Sequence, residues 1–443
     1  MPALQPDLTR ADAPSSGLDS TYKWKVVGML WFTGFFNYAD RQAIFSLFPL
    51  LQTELHLDMT QLGLLGSSFA FVYGICGPLA GNVVDRVRRK LAILGGLFTW
   101  SLICMATALV RTFPQLLFFR AAEGLGETFY FPASMSLISD YHGRRTRSRA
   151  MGLHQTSVYI GSIAGGFFGG LIGQHYGWRS SFIVFGGLGV LLGFVLNRFL
   201  KEPVRGSADL DDLGSHAASA AAHLPLGEFL RVVWTTPTLL FLMGTFCLAN
   251  FVAMVLLSWM PMFLYSRFHM GLAVAGFTAT GFVQLASMVG SPLGGWAADS
   301  LRRRFVGGRL AVQMLGLLGA APFVIWCGQT MAVSSLVIAL AAWGLFKGMY
   351  DANIYASALD VIRPEARGTA VGFMNMTGWL FGAATAPVLT GYVAQRAGLG
   401  FAISLAAVAL FLAAGLLLLA MSTTLRRDVE RMKAELARPA PTV

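Results

Sequence analysis

Two stretches decide the fold: GNVVDRVRRK at residues 81–90 and GWAADSLRRR at residues 295–304. Each begins with glycine, carries aspartate at its fifth position and ends in basic residues. Each also follows an apolar run long enough to cross a membrane. A second pair of aspartates, Asp140 and Asp360, recurs at nearly the same offset. Motifs at a nearly constant offset predict two structurally equivalent halves, and such halves typically hold a binding site between them at mid-membrane.

The composition is that of a membrane protein. Of the 443 residues, 55% are hydrophobic and 12% are charged, and the mean hydropathy is +0.61. Soluble proteins carry roughly 25% charged residues, so this chain has too little polar surface to face water on all sides. Apolar runs of about 20 residues alternate with short charged clusters, which predicts spanning helices joined by loops. The fold class is therefore all-α integral membrane, with twelve predicted spans at residues 24–49, 60–84, 91–110, 114–140, 150–173, 178–199, 237–265, 272–298, 310–328, 332–360, 367–393 and 399–421.

The distribution of basic residues predicts the orientation in the membrane. With the amino terminus inside, 26 of the 33 Lys and Arg residues fall on the cytoplasmic side, and only Arg111, Arg179, Arg267 and Arg396 fall outside. Because cytoplasmic loops are enriched in Lys and Arg, both termini are expected in the cytoplasm. The same clusters account for the net charge of +11 without a nucleic-acid surface. The polar residues 1–21 lack a signal-peptide core, so span 1 is expected to direct insertion into the plasma or inner membrane.

A polar interruption divides the chain. Residues 200–236 break the apolar pattern and predict a cytoplasmic linker, with a short interfacial helix near 226–234. The predicted organisation is an amino-terminal tail at 1–23, a six-helix half at 24–199, the linker at 200–236, a second six-helix half at 237–421 and a basic carboxyl-terminal tail at 422–443.

The stretch at residues 81–90 resembles the loop signature of the major facilitator superfamily, which joins spans 2 and 3; Arg88 stands where that family usually has glycine. The resemblance covers nearly the whole chain. It implies the major facilitator fold, with twelve transmembrane helices in two pseudo-symmetric six-helix halves, and secondary transport by alternating access. The aspartate of the signature can pair with arginine or cap a helix start, and so hold one conformation. The predicted conformational latch comprises Asp85, Arg86, Arg89, Asp299 and Arg302.

Polar residues inside the spans resemble one subgroup of the superfamily, the anion:cation symporters. The resemblance rests on NYADR at residues 37–41 in span 1, and on Arg120 with Glu127 in span 4. It implies that Arg41 and Arg120 contact an organic anion. It also implies that Asp40 and Glu127 exchange protons.

Other segments resemble the Spinster-like transporters of lysolipids. They are GLGE at residues 124–127, RSR at 147–149 and EPVRG at 202–206. The Spinster-like proteins share the Asp-Arg pair of span 1 and the Glu of span 4 with the anion:cation symporters. The shared residues therefore indicate the transport machinery and leave open whether the cargo is a small organic anion, such as a sugar acid, or a lysophospholipid.

Ionisable residues inside the spans need partners or a cavity, because a charge at a helix centre costs about 2.5–3.5 kcal/mol on insertion scales. Residues three or four positions apart share one helix face. This spacing groups Asn37, Asp40 and Arg41 in span 1, Arg120, Glu123 and Glu127 in span 4, and Lys347, Tyr350 and Asp351 in span 10. Two interpretations stay open. Either each cation is neutralised by an acid and the set fixes helix packing, or the arginines bind an anion through their planar guanidinium groups.

In the second interpretation, Glu127 is the principal proton carrier, Asp40 is the second, and Glu123 is the structural partner of Arg120. Burial and a nearby arginine act oppositely on a carboxyl pKa, so an empty and an occupied site can differ in proton affinity. Coupling requires such a difference. The predicted substrate contacts are Arg41, Arg120, Asn37, Tyr38, Tyr130, His154, Gln155, Lys347, Tyr350, Asn375 and Trp379.

Other function classes lack their motifs. The sequence contains no GxSxG, HExxH or DDxxD motif, so no enzyme is expected. Its four cysteines are scattered through apolar runs, so neither a metal nor a cofactor is expected. The expected partners are a small anionic substrate, protons and the lipid bilayer, without nucleic acid, and the expected state is a monomer. The direction of transport and the choice between protons and sodium stay open.

Overall fold

The computed structural model describes residues 20–143, 145–204, 208, 226–363 and 366–436, and these residues form helices and connecting turns without a β-strand. The helices make up the twelve predicted spans. In the first half they run Ser20–Ser46 and Phe48–Glu54 (span 1), Met59–Arg86 (span 2), Arg89–Thr107 (span 3), Phe113–Glu127 and Tyr130–Tyr141 (span 4), Arg147–Tyr176 (span 5) and Trp178–Phe199 (span 6).

The second half follows the same plan. Two further helices flank it, Leu226–Thr235 before span 7 and Leu425–Leu436 after span 12, and the first confirms the helix predicted near 226–234. Most of the predicted linker and the outer parts of both predicted tails lie outside the described residues. The spans run Pro237–Phe268 (span 7), Leu272–Arg302 (span 8), Gly308–Gln329 (span 9), Val333–Asp351 and Ile354–Leu359 (span 10), Arg367–Thr377, Gly378–Ala383 and Ala386–Ala397 (span 11), and Leu399–Leu405 and Ala407–Thr423 (span 12).

Three spans depart from a plain apolar helix. In the described part of the chain, nine helices are long and apolar enough to cross a membrane by length and composition alone, and spans 1, 4 and 11 are not among them. Span 1 carries Asp40 and Arg41, and span 4 is interrupted after Glu127. Span 11 contains a wider, π-helical turn over Gly378–Ala383. Charged residues and irregular backbone at membrane depth are tolerated only inside protein or around a cavity, so spans 1, 4 and 11 are candidates for the region of the site.

The two halves repeat their packing. Span 1 packs on span 5, and span 2 on span 4, as span 7 packs on span 11 and span 8 on span 10. Spans 6 and 12 each begin after a glycine with positive φ, at Gly177 (81°) and Gly398 (87°), a conformation that glycine adopts readily. The two pseudo-symmetric six-helix halves predicted from the sequence are confirmed.

In each half, the beginning of the first span lies beside the chain that leaves the last span. The Tyr22 hydroxyl donates to the carbonyl of Phe199 at 2.7 Å, which joins the start of span 1 to the end of span 6. The N–H of Thr238 donates to Asp428 Oδ2 at 3.0 Å, which joins the start of span 7 to the helix after span 12. We call this face of the bundle the terminal side and the opposite face the far side.

The halves touch through glycines near the far side. A Cβ built on Gly276 of span 8 would lie 2.0 Å from the carbonyl oxygen of Gly166 in span 5. A Cβ on Gly63 of span 2 would lie 2.4 Å from the carbonyl oxygen of Pro387 in span 11. Because no side chain fits at either glycine, the backbones of the two halves are in direct contact here.

Toward the terminal side the same spans diverge. A Cβ built on Gly77 or Gly81 of span 2, Gly152 of span 5, Gly295 of span 8 or Gly372 of span 11 would meet no atom within 4 Å. The far side is therefore closed by backbone contact, whereas these glycines of the terminal side face open space.

Candidate functional site

A buried ion pair joins spans 1 and 4 where span 4 is interrupted. Arg41 donates to Glu127 Oε2 from Nη2 at 2.6 Å and from Nε at 3.1 Å, and Nη2 also lies 3.3 Å from Asn37 Oδ1. Glu127 is the last residue of the helix Phe113–Glu127, and Asn37 lies one turn before Arg41 on the same helix face. The predicted grouping of Asn37 with Arg41 is thus present, whereas the pairing of Arg41 with Glu127 was not predicted.

Aromatic rings surround the Arg41 guanidinium. Its carbon Cζ lies 4.6 Å from the ring centroid of Tyr38, 4.8 Å from those of Phe69 and Tyr73, and 5.2 Å from that of Trp379. Trp379 belongs to the π-helical turn of span 11 and packs on Tyr73 at 4.8 Å. Such rings stabilise a cation through their negative faces. Arg41 therefore lies at the boundary between the two halves, and its Nη1 has no hydrogen-bond partner.

The second arginine lies deeper in the first half. Arg120 donates from Nη1 to Glu123 Oε2 at 2.5 Å and from Nη2 to the carbonyl of Arg41 at 3.0 Å. The predicted pairing of Arg120 with Glu123 is confirmed. Because Arg120 is 1% exposed and also supports the backbone of span 1, it holds the adjacent Arg41 in place.

Asp40 differs from the other acids. It is 1% exposed, and neither of its carboxylate oxygens has a hydrogen-bond partner. Oxygens of Asp40 and Glu123 and the Cys104 sulfur lie within 4.8 Å of one another, so this cluster could hold a proton or a small cation. Three acids and two arginines leave one negative charge unmatched when all are ionised: Asp40, Glu123, Glu127, Arg41 and Arg120.

The polar residues of span 10 form separate contacts. Lys347 pairs with Asp351 on its own helix. The Tyr350 hydroxyl is buried without a hydrogen-bond partner. Asn375 Oδ1 of span 11 accepts a hydrogen bond from the Tyr355 hydroxyl at 2.6 Å. Four substrate contacts were predicted in the second half. Among the described contacts between a cation and an aromatic ring, Trp379 is the one of these four that lies beside Arg41.

A third group lies between spans 1, 4 and 5. Tyr130 Oη and His154 Nε2 are 2.7 Å apart, and the Tyr130 hydroxyl also donates to the carbonyl of Leu30 at 2.5 Å. Both side chains are buried, so they join three helices, whereas the neighbouring Gln155 is half-buried. A substrate contact at these positions stays a prediction.

Three of the five predicted latch residues pair inside their own halves. Arg89 Nη1 pairs with Asp140 at 2.8 Å, and Arg302 pairs with Asp360 at 2.9 Å. Asp299 pairs with Arg309 at 3.1 Å. Asp85 and Arg86 are exposed on the terminal side.

Sequence reasoning missed the rings that span 2 contributes. Phe69 and Tyr73 are spaced by four positions, so they share one face of span 2 and both reach Arg41. In the sequence these aromatics are indistinguishable from ordinary packing residues. Their role depends on how spans 1 and 2 face each other.

Comparison with known proteins assigns the chain to a family. The sequence model of the Major Facilitator Superfamily matches residues 30–312 and 275–442, and the chain belongs to this superfamily. The chain is 26% identical to the hexuronate transporter of Bacillus subtilis (strain 168), over 85% of this chain and 89% of that protein. It is 28% identical to protein spinster of Drosophila melanogaster, over 84% of this chain and 62% of that protein. It is 26% identical to the probable L-galactonate transporter of Escherichia coli (strain K12), over 82% of each.

Solved structures share the fold. A crystal structure of a bacterial homolog of the human lysosomal transporter Spinster, inward-facing and unoccupied, superposes with a TM-score of 0.81. It is 23% identical and covers 96% of this chain and 100% of that chain. The family and these relatives are membrane transporters, so this chain is a multi-pass membrane transporter and not an enzyme.

Proposed function

We propose that this transporter moves a small organic anion, a sugar acid or another carboxylate, in symport with protons. The observation that carries the proposal is the placement of Arg41, which lies at the boundary of the halves with Nη1 unpartnered. A planar guanidinium binds a carboxylate through two parallel hydrogen bonds, so Arg41 is placed to take the substrate. Relatives named for hexuronate and L-galactonate carry substrates of this chemical class.

Glu127 couples the proton to the substrate. While ionised, it occupies two nitrogens of the Arg41 guanidinium and competes with a substrate carboxylate. A proton on Glu127 removes its charge and releases Arg41, so proton and anion bind together. This mutual stabilisation is the linkage that symport requires.

Asp40 is the second proton position. Its carboxylate is buried without a hydrogen-bond partner, and one acid of the cluster is unmatched by arginine. A bound proton there removes the unmatched charge, since an isolated buried carboxylate is neutralised in preference to staying ionised. Protons are favoured over sodium because the cluster includes the Cys104 sulfur, whereas hard cations select oxygen ligands.

The test uses Glu127→Gln in proteoliposomes. Gln cannot release a proton, so accumulation of a labelled sugar acid driven by a pH gradient should be abolished, while exchange of substrate across the membrane continues. Glu54→Gln, at a carboxylate on the far side, is the matched control and should accumulate substrate normally. Accumulation by Glu127→Gln at the wild-type rate would show that Glu127 is not the carrier.

A lysophospholipid is the second candidate substrate, favoured by the aromatic rings around Arg41 and by the similarity to protein spinster. The two candidate substrates can be distinguished by measuring thermal stabilisation of the purified protein by a panel of sugar acids and by a panel of lysophospholipids. A ligand at 100 times its dissociation constant stabilises the folded state by about 2.7 kcal/mol. A carboxylate effect that Arg120→Ala abolishes supports the anion symporter. An effect of lysolipids alone, beyond matched detergents, supports the second candidate.

The orientation also belongs to this proposal. The terminal side carries most of the basic residues, so we place it and both termini in the cytoplasm, with the protein in the plasma or inner membrane as a monomer. Residues 200–236 then link the halves, and the structure is inward-facing. The latch residues act when this side closes, since Arg89 and Arg302 now pair inside their own halves.

A further inference from the structure

A cavity of about 450 Å³ lies on the terminal side of the first half, apart from the charge cluster. It is formed where span 1 begins, by the loop between spans 4 and 5, and by the first turn of span 5. The described residues that line it are Lys23, Gly143, Arg145, Thr146 and Arg149. None of these residues takes part in the proposed transport site.

Three of the described lining residues are cations: Lys23, Arg145 and Arg149. Within the part of the chain that the structure describes, no carboxylate pairs with Lys23, Arg145 or Arg149. Some other basic residues on this side are paired, as Arg89 is with Asp140, whereas the exposed Arg303 and Arg304 pair with no carboxylate of the described residues. Topology accounts for basic residues in a cytoplasmic loop. These three cations are set apart by lining one cavity together.

The walls of the cavity are tied together by a buried histidine. His142 Nδ1 lies 3.1 Å from Thr146 Oγ1, and His142 Nε2 lies 3.3 Å from the carbonyl of Lys23. Arg147 donates to the carbonyl of His142 at 3.0 Å and to that of Ser139 at 3.1 Å. The start of span 1 and the loop before span 5 are thereby held at a set separation, so the cations are positioned before any ligand arrives.

The backbone adds to the positive potential. Span 5 begins at Arg147, and its N-cap residue Thr146 makes no side-chain capping hydrogen bond. The first N–H groups of a helix and its dipole attract anions. An anion in this cavity would meet three cationic side chains and the start of a 30-residue helix.

The position of the cavity indicates the source of the anion. Trp24, beside Lys23, is 37% exposed and packs on His142 at 4.8 Å, and tryptophan is enriched at the membrane–water interface. One turn beyond Arg149, Leu153 presents exposed apolar surface. Cations at the edge of the membrane beside apolar surface suit a lipid whose phosphate is anchored and whose chains enter the bilayer.

We propose that this cavity binds the phosphate group of an anionic phospholipid. The test is native mass spectrometry of the full-length protein titrated with phosphatidylglycerol or with phosphatidylcholine of the same chains. The wild type should bind phosphatidylglycerol at least tenfold more tightly. The triple variant Lys23→Gln, Arg145→Gln, Arg149→Gln should lose this preference, with roughly fivefold weaker binding for each cation removed.

A charge-matched control separates the cavity from the general surface charge. Arg303→Gln, Arg304→Gln, Lys433→Gln removes three exposed cations from the same side, and it should keep the preference for phosphatidylglycerol. Equal loss in both triple variants, or no loss in the cavity variant, would overturn the site. If inorganic phosphate displaces phosphatidylglycerol at equal concentration, the cavity binds a soluble anion. That result would contradict the proposal that its ligand is a phospholipid.

A measurement on the unaltered protein covers the case in which the cavity variant fails to fold. Phosphatidylglycerol with a photoreactive headgroup should label peptides around Lys23 and Arg145–Arg149. Labelling elsewhere, with these peptides unmodified, would contradict the proposal.

Discussion

The two halves of the molecule repeat their loop ion pairs but not their interior charges. On the terminal side, Arg89 pairs with Asp140 in the first half, and Arg302 pairs with Asp360 in the second. Arg89 begins span 3 and Arg302 ends span 8, so each pair joins the basic stretch after the second span of its half to the end of the fourth span. The repeat thus preserves the parts that hold each half together.

The interiors differ in charge. The offset that relates Asp140 to Asp360 also relates Glu127 to Lys347, so an acid in one half stands where a cation stands in the other. Glu127 pairs across spans with Arg41, whereas Lys347 pairs with its own helix neighbour. An ion pair between spans changes when helices move, and one within a helix does not. This difference supports the proposal that the coupling chemistry lies in the first half.

The largest effect on substrate binding is expected for Arg41→Lys. Lysine keeps the charge but lacks the planar fork, and charge-assisted hydrogen bonds are worth about 1.5–3 kcal/mol, so carboxylate binding should weaken by about 10- to 150-fold. Isothermal titration of the purified protein measures this loss. The matched change Lys347→Arg should alter binding by less than about threefold. Equal losses would remove the proposed difference between the halves.

The symmetric contacts between the halves are expected to respond alike. Gly276→Ala and Gly63→Ala would each place a methyl group against backbone of the other half, so both should shift the population toward the conformation that is open on the far side. Distances between spin labels on the two halves report that shift. Gly295→Ala has room in the present conformation and serves as the control. Opposite shifts for the two far-side variants would contradict the pseudo-symmetric interface.

The repeated loop pairs are expected to differ in strength. Arg89 and Asp140 have side chains 11% and 5% exposed, whereas those of Arg302 and Asp360 are 48% and 21% exposed. Arg89→Ala should therefore lower the free energy of unfolding by about 1–3 kcal/mol, the cost of leaving a buried group unpaired. Arg302→Ala should lower it by less than about 1 kcal/mol, also because Asp360 keeps its pair with Arg309. Thermal unfolding in detergent compares the two, and the reverse order would show that burial does not set the strength of these pairs.

The smallest effect is expected on the far side. The Arg179 guanidinium, followed by the Trp178 indole, holds the pKa of Glu54 below its ordinary value of 4.5. A lowered folded-state pKa adds stability above the ordinary pKa, and this stability is lost as the pH falls. Glu54→Gln should lower the free energy of unfolding at pH 7 by less than about 1 kcal/mol, because the pair is exposed. The Tm should fall slightly as a result. The difference from wild type should shrink as the pH falls below 4.5; a constant difference would assign it to packing.

Much of the architecture was predictable from local patterns. Span 6 was predicted at 178–199 and runs Trp178–Phe199. The interruption of span 4 after Glu127 and the π-helical turn of span 11 were not predicted, because the apolar pattern runs through both. The pairing of Arg120 with Glu123 was predicted correctly, since residues three apart on a helix are neighbours.

The sequence by itself determined the class of protein, the twelve spans, the two halves and the residues whose charge is costly in a membrane. These follow from composition and from periods within one helix, which need no knowledge of neighbours. Only the tertiary structure decided that Arg41 takes Glu127 as its partner, that Phe69 and Tyr73 surround it, and that the halves meet on the far side. Those contacts join residues far apart in the chain, and they depend on how the helices pack against each other.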